Sequence, residues 1–294
     1  IDDTSFTPAC QTRRRHWRLA SPLFAQSRFY EYPKADDMNK ERIWTKDFII
    51  VFVINTLVFL THFLLMVTIA SYTVDKFHAS TSEAGLVVGI FIIGALFGRL
   101  ATGRIIGDIG SKRILIISTI FFIITSALYF AANNLFTLII IRFLHGIVFG
   151  GASTATGTIV AQIIPHSRRG EGIGYYSMGA ILAVALGPFV GIIFIQLAAF
   201  EMNFIVTSIL ATISFAISFA VSEPTCESPG PDQAKAVKGF QISNYLEFKA
   251  IPISLIILVI GFSYSGVLTF IALYAKQIHL EKAASFYFFV FAIT

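Results

Sequence analysis

From about Asp47 onward the chain alternates long apolar stretches with short polar breaks. Each stretch approaches the roughly 20 residues that a helix needs to cross about 30 Å of hydrocarbon. The pattern predicts helices over Asp47–Ala70, Glu83–Ile106, Arg113–Ala132, Leu135–Ile164, Glu171–Ala198, Met202–Val221 and Ala250–Ala275, with an eighth beginning near Ala283. A membrane barrel would instead show segments of about ten alternating residues. The expected fold is therefore all-α and polytopic, with the lipid bilayer as its surroundings.

Composition supports that reading. The chain is 55% hydrophobic and 13% charged with a mean hydropathy of +0.75, too apolar for a soluble domain of 294 residues. The net charge of +5 does not indicate nucleic acid, because it is carried largely by short loops and by the polar segment before the first helix. The connection between the second and third predicted helices, with its flanks, holds Arg104, Lys112 and Arg113, and the next loop on that side holds Arg168 and Arg169. The first connection on the opposite side holds only Lys76, and the others hold no Lys or Arg. By the positive-inside rule the N-terminus and the basic loops are expected in the cytoplasm, in a multi-pass protein of the plasma membrane. Cys10 and Cys226 fall on that reducing side, so no disulfide is expected.

Texture divides the chain. Residues 1–37 are polar, Arg-rich and aperiodic, and are expected to be a disordered or non-native segment, with Met38 as a natural start. Residues 38–221 form a six-helix bundle. Residues 222–249, polar and holding Pro224, Pro229 and Pro231, form a cytoplasmic linker, and residues 250–294 begin a second bundle that stops within its second helix. Six spans, a linker and further spans are the layout of a two-halved transporter, so the chain is expected to be the first part of a longer one.

Small residues mark helix faces that pack closely. Gly179, Ala183, Gly187 and Gly191 recur every four residues in the fifth helix, where Pro188 removes a backbone donor. Gly146, Gly150, Ser153 and Gly157 form a second stripe in the fourth. A simple membrane anchor would need neither the tight stripe nor the mid-helix proline, and both suit a helix that seals or pivots.

Three segments resemble signatures of the major facilitator superfamily. They are Gly103-Arg-Ile-Ile-Gly107-Asp108-Ile-Gly110-Ser-Lys112-Arg113 between helices two and three, Arg142-Phe-Leu-His145-Gly146 in helix four, and Gly187-Pro188-Phe-Val-Gly191 in helix five. The last resembles the signature of the drug:proton antiporter branch. The resemblance implies a twelve-helix transporter working by alternating access. It also implies a gate loop in which Gly107 and Gly110 allow a tight turn while Asp108, Lys112 and Arg113 pair with neighbouring helix ends. The loop departs from the family pattern, because Gly107 fills the usual acidic position and Ser111 the usual basic one.

Arg142 lies seven residues into helix four, about 10 Å below its start. A charge at that depth is expected to face a partner or a water-filled cavity. His62 in helix one, nine residues before Ser71, falls at a similar depth. Histidine titrates near neutral pH, so His62 is a candidate proton carrier beside Arg142. His145 is expected to pack or hydrogen-bond, and Asn55 either binds substrate or bridges helices.

In the first six helices every Asp and Glu from Asp47 onward lies at a helix end or in a loop. Proton coupling then rests on His62 and Arg142, or on an acid in the second half, and cationic substrates are not favoured. No catalytic cluster, metal-ligand spacing or phosphate loop is present, so neither enzymatic activity nor a cofactor or metal is expected. The sequence reading is a secondary transporter, monomeric at full length, that exports small amphipathic molecules or drugs in exchange for protons. The alternative is transport of a specific metabolite such as a sugar, a nucleoside or a metal-chelating compound. A non-functional gene fragment and a polytopic membrane enzyme are the remaining alternatives.

Overall fold

The computed structural model describes residues 41–197, 200–222 and 251–280, together with 283, 286, 287 and 290. The segment 1–37, both cysteines, nearly all of the 222–249 linker and most of the eighth predicted helix lie outside the described residues. Seven helices follow one another: α1 (Lys46–Phe77), α2 (Thr81–Ile109), α3 (Ser111–Leu128), α4 (Leu135–Ile163), α5 (Arg169–Leu197), α6 (Phe200–Ser218) and α7 (Ile251–Gln277). A 3-10 turn, Tyr129–Ala131, extends α3. All seven are long and apolar enough to cross a membrane, and no strand occurs among the described residues.

Local chemistry sets the helix ends. The Thr45 and Asn134 side chains accept from the Phe48 and Thr137 backbone amides at the starts of α1 and α4. Ser80 and Glu83 form a reciprocal capping box at the start of α2. At the α2–α3 turn Gly110 takes φ +94°, a conformation open to glycine but costly for other residues.

After Phe91, α2 buries small residues and turns bulky apolar ones outward, as suits lipid surroundings. On α2, Ile92, Ile93, Leu96 and Phe97 are exposed, whereas Gly94, Ala95, Gly98 and Thr102 are buried. Several buried hydroxyls of α1 are satisfied within the helix: Thr61, Thr68 and Thr73 each donate to the carbonyl four residues earlier.

α1 runs through the centre and touches α2, α4, α5, α6 and α7, while α2 packs most extensively on α4. α1 also extends past its predicted end at Ala70 to Phe77. Tertiary packing carries it there: the Tyr72 ring meets the edges of Phe200 and Phe204, and Ser71, Tyr72 and Thr73 are all buried. Its last residue is followed by His78 in the left-handed conformation, φ 52°. At this end of the bundle, away from the α2–α3 turn, Lys276 of α7 pairs with Asp75 of α1 through contacts of 2.7 and 2.8 Å.

Candidate functional site

The small-residue stripes bring backbones together. On α5 a Cβ at Gly187 would stand 2.8 Å from the Leu64 nitrogen, and one at Gly191 would stand 2.9 Å from the Leu64 carbonyl oxygen. Gly179 abuts Thr56, and Ala183 is fully buried between them. The stripe therefore lies on α1, with Pro188 inside the helix beside the contact. Pro188 cannot donate to the Val184 carbonyl, which frees that acceptor in mid-helix. A second contact joins α2 and α4 and is reciprocal. Side chains at Gly146 and Gly150 would strike the carbonyls of Phe91 and Ala95, and side chains at Gly94 and Gly98 those of Phe143 and Ile147.

That approach encloses Arg142, which is fully buried. Its Nε donates to the Val87 carbonyl and its Nη1 to the Tyr129 hydroxyl, each at 3.3 Å. The guanidinium lies 4.5 Å from the centre of the Phe91 ring, close enough for a cation–π attraction. The Tyr129 oxygen is also 2.9 Å from Nδ1 of His145. With Arg142 donating to that oxygen, Tyr129 can spend its own proton on Nδ1, which places the His145 ring proton on Nε2. His62 stacks on the same Phe91 ring at 4.5 Å. Arg142 and His62 thus share one aromatic neighbour, although His62 sits fifteen residues before the true end of α1. Arg142 Nη2, His62 Nδ1 and His145 Nε2 are buried without a hydrogen-bond partner among the described residues. Arg142 makes no ion pair there either, so the charge is held by neutral dipoles and an aromatic face.

Asn55 belongs to a separate group nearer the α2–α3 end. The Tyr176 hydroxyl donates to Asn55 Oδ1 at 2.8 Å and lies 2.9 Å from Thr156 Oγ1, linking α1, α4 and α5. Beside this group is a cavity of about 260 Å³ whose lining includes Asn55, Phe59, Arg99, Ser153, Gly157 and Tyr176. Neither Arg142 nor His62 lines it; of the two surroundings expected for Arg142, a partner or a cavity, the structure places partners there.

The gate loop differs from expectation in two ways. Gly103 and Gly107 are helical, exposed and have nothing within 4 Å of a would-be Cβ, so only Gly110 makes the turn. Asp108, Lys112 and Arg113 form no ion pair among the described residues. Buried Ser111 supplies the link instead, donating to Gln162 Oε1 of α4 at 3.2 Å.

Arg99, Tyr129 and Tyr176 were not singled out in the sequence. Arg99 carried a signal, being a cation inside an otherwise apolar run. The tyrosines carried none, because their partners are distant in sequence.

Comparison with known proteins agrees with this architecture. The family model for the Major Facilitator Superfamily matches residues 51–294. An uncharacterized MFS-type transporter of Methanocaldococcus jannaschii is 24% identical over 67% of this chain and 52% of its own length. The multi-drug resistance efflux pump PmrA of Streptococcus pneumoniae is 23% identical over 66% of this chain and 49% of its own. Shorter matches include a hexose transporter and a glucose transporter. Among solved structures, a bacterial homolog of the human lysosomal transporter Spinster, in an inward-facing and unoccupied conformation, superposes with a TM-score of 0.61 at 17% identity. That superposition covers 83% of this chain and 58% of the other. The chain spans about half the length of the curated relatives that it matches over most of its own length. With seven apolar helices and a family match over most of its length, the chain belongs to the Major Facilitator Superfamily and is a multi-pass membrane protein.

Proposed function

We propose that the protein exports small amphipathic molecules in exchange for protons by alternating access. The observation that carries this reading is the uneven filling of the bundle. A cavity with Asn55, Arg99 and Tyr176 in its lining lies toward the α2–α3 end, whereas the other half is packed around Arg142 and joined to α7 through Asp75 and Lys276. Such a bundle has one accessible side at a time if the α1–α7 contact opens when the cavity closes. Arg142 is held by neutral groups, so a proton or an anion arriving nearby would change its field strongly in the low-dielectric interior. The α2–α3 loop and the N-terminus face the cytoplasm in this reading, and the full-length protein is a monomer of the plasma membrane.

The test is accumulation of a fluorescent amphipath in proteoliposomes of the complete protein under an imposed pH gradient. Accumulation that a protonophore abolishes supports the reading, and accumulation indifferent to the protonophore counts against it. Matches to glucose and hexose transporters favour a second reading, transport of one specific metabolite. Saturable uptake of labelled glucose with no amphipath transport would select it.

A further inference from the structure

We infer that the cavity beside Asn55 binds an organic anion, a carboxylate or phosphate carried on an apolar body, through the Arg99 guanidinium. The inference rests on the transport reading and names its substrate class. Arg99 stands ten residues before the end of α2 at Ile109, about 15 Å along the helix axis. It lines the cavity yet makes no hydrogen bond or ion pair with any described residue.

Arg99 is exposed and its planar guanidinium keeps its donors free, a fork matched to a bidentate oxyanion. No carboxylate lines the cavity, and the described acids lie at helix ends or in connections, so nothing there competes for the guanidinium or attracts a cation.

The rest of the lining completes the specificity. The Asn55–Tyr176–Thr156 group ties three helices together and keeps the Asn55 amide and the Tyr176 hydroxyl at the cavity wall. The Asn55 Oδ1 is occupied by the Tyr176 proton, which leaves its Nδ2 donors for a ligand oxygen. Phe59 supplies an aromatic surface, while Gly157 and Ala180 leave room for a flat apolar body. About 260 Å³ accommodates one or two fused aromatic rings.

The experiment measures binding to the complete purified protein in detergent, using naphthoate, naphthyl phosphate and the neutral naphthamide as probes. Wild type should bind at least one anion about tenfold or more tightly than the amide. Arg99→Gln should erase that preference, and Arg99→Lys should keep part of it. Tyr176→Phe should weaken the anion without abolishing the preference. Equal binding of anion and amide by wild type, or no binding of either anion, overturns the inference, as does an anion preference that survives in Arg99→Gln. A phosphatidylglycerol arm separates solute from lipid: displacement of naphthoate by the lipid would assign Arg99 to a headgroup and also overturn it. Binding requires no pH gradient, so the outcomes are separable. Anion binding without gradient-driven transport would leave the site standing and remove proton exchange. Gradient-driven transport of neutral amphipaths alone would do the reverse.

Discussion

Gly98→Ala and Gly103→Ala make the same chemical change on the same helix and should move stability in opposite directions. Both positions are helical, so each alanine gains the same intrinsic preference, about 0.5–1 kcal/mol over glycine. At Gly103 nothing lies within 4 Å of the new Cβ. At Gly98 the Cβ overlaps the Ile147 carbonyl oxygen and stands 2.8 Å from its carbon and 3.0 Å from its Cα. These are backbone atoms of α4, so no rotamer change relieves them. Restoring an ordinary separation requires α2 and α4 to part by roughly an ångström. That movement loosens the reciprocal approaches of Gly94, Gly146 and Gly150 as well. Overpacking of this kind costs about 1–3 kcal/mol. Because the propensity gain cancels, the two variants should differ by about that amount. Thermal unfolding of the complete protein in detergent, followed by the loss of monodisperse material, measures it. Gly103→Ala should melt at or above wild type and Gly98→Ala several degrees below. Equal melting temperatures would refute the close α2–α4 approach.

The α5 stripe should matter for movement more than for insertion. Gly187→Leu stays apolar but places a side chain against the Leu64 and Phe63 backbone, so protein should reach the membrane and lose most transport; normal transport would mean that α1 and α5 are not in contact. Cysteine at exposed Asp108 should resist an impermeant reagent added to intact cells and react in inverted vesicles, and the reverse result would invert the topology. Ser111 is too buried to serve for that measurement. Arg142→Ala should abolish active transport, because the buried guanidinium holds the Val87 carbonyl and the Tyr129 hydroxyl together at the core of the bundle. Wild-type rates from Arg142→Ala would remove it from the coupling site.

Much of the architecture could be read in the sequence because lipid imposes one solution. Every backbone group must be paired internally, so each apolar run becomes a helix, and the four-residue spacing of Gly179, Ala183, Gly187 and Gly191 identifies the face that meets α1. Less local features escaped. The turn from Ser71 to Phe77 looked like a loop because its helix is held by Phe200 and Phe204, far along the chain. Gly107 looked like a turn residue because glycine permits φ > 0 without requiring it, and only Gly110 uses that freedom. The burial of Arg142 was legible from its depth, but its partners were not. The Val87 carbonyl is a backbone atom with no sequence signature, and Tyr129, where α3 continues into the 3-10 turn, comes within reach through the packing of α3 on α4.

Alternating access is most directly tested by the distance between α1 and α7 at the end where Asp75 meets Lys276. Spin labels at the exposed neighbours Lys76 and Gln277, in the complete protein reconstituted in lipid, report that distance without interrupting the ion pair. Alternating access of this kind gives two distance populations, one short as in this structure and one longer, whose ratio shifts across the pH range over which the protein stays folded. A single short distance, unchanged across that range, would contradict it.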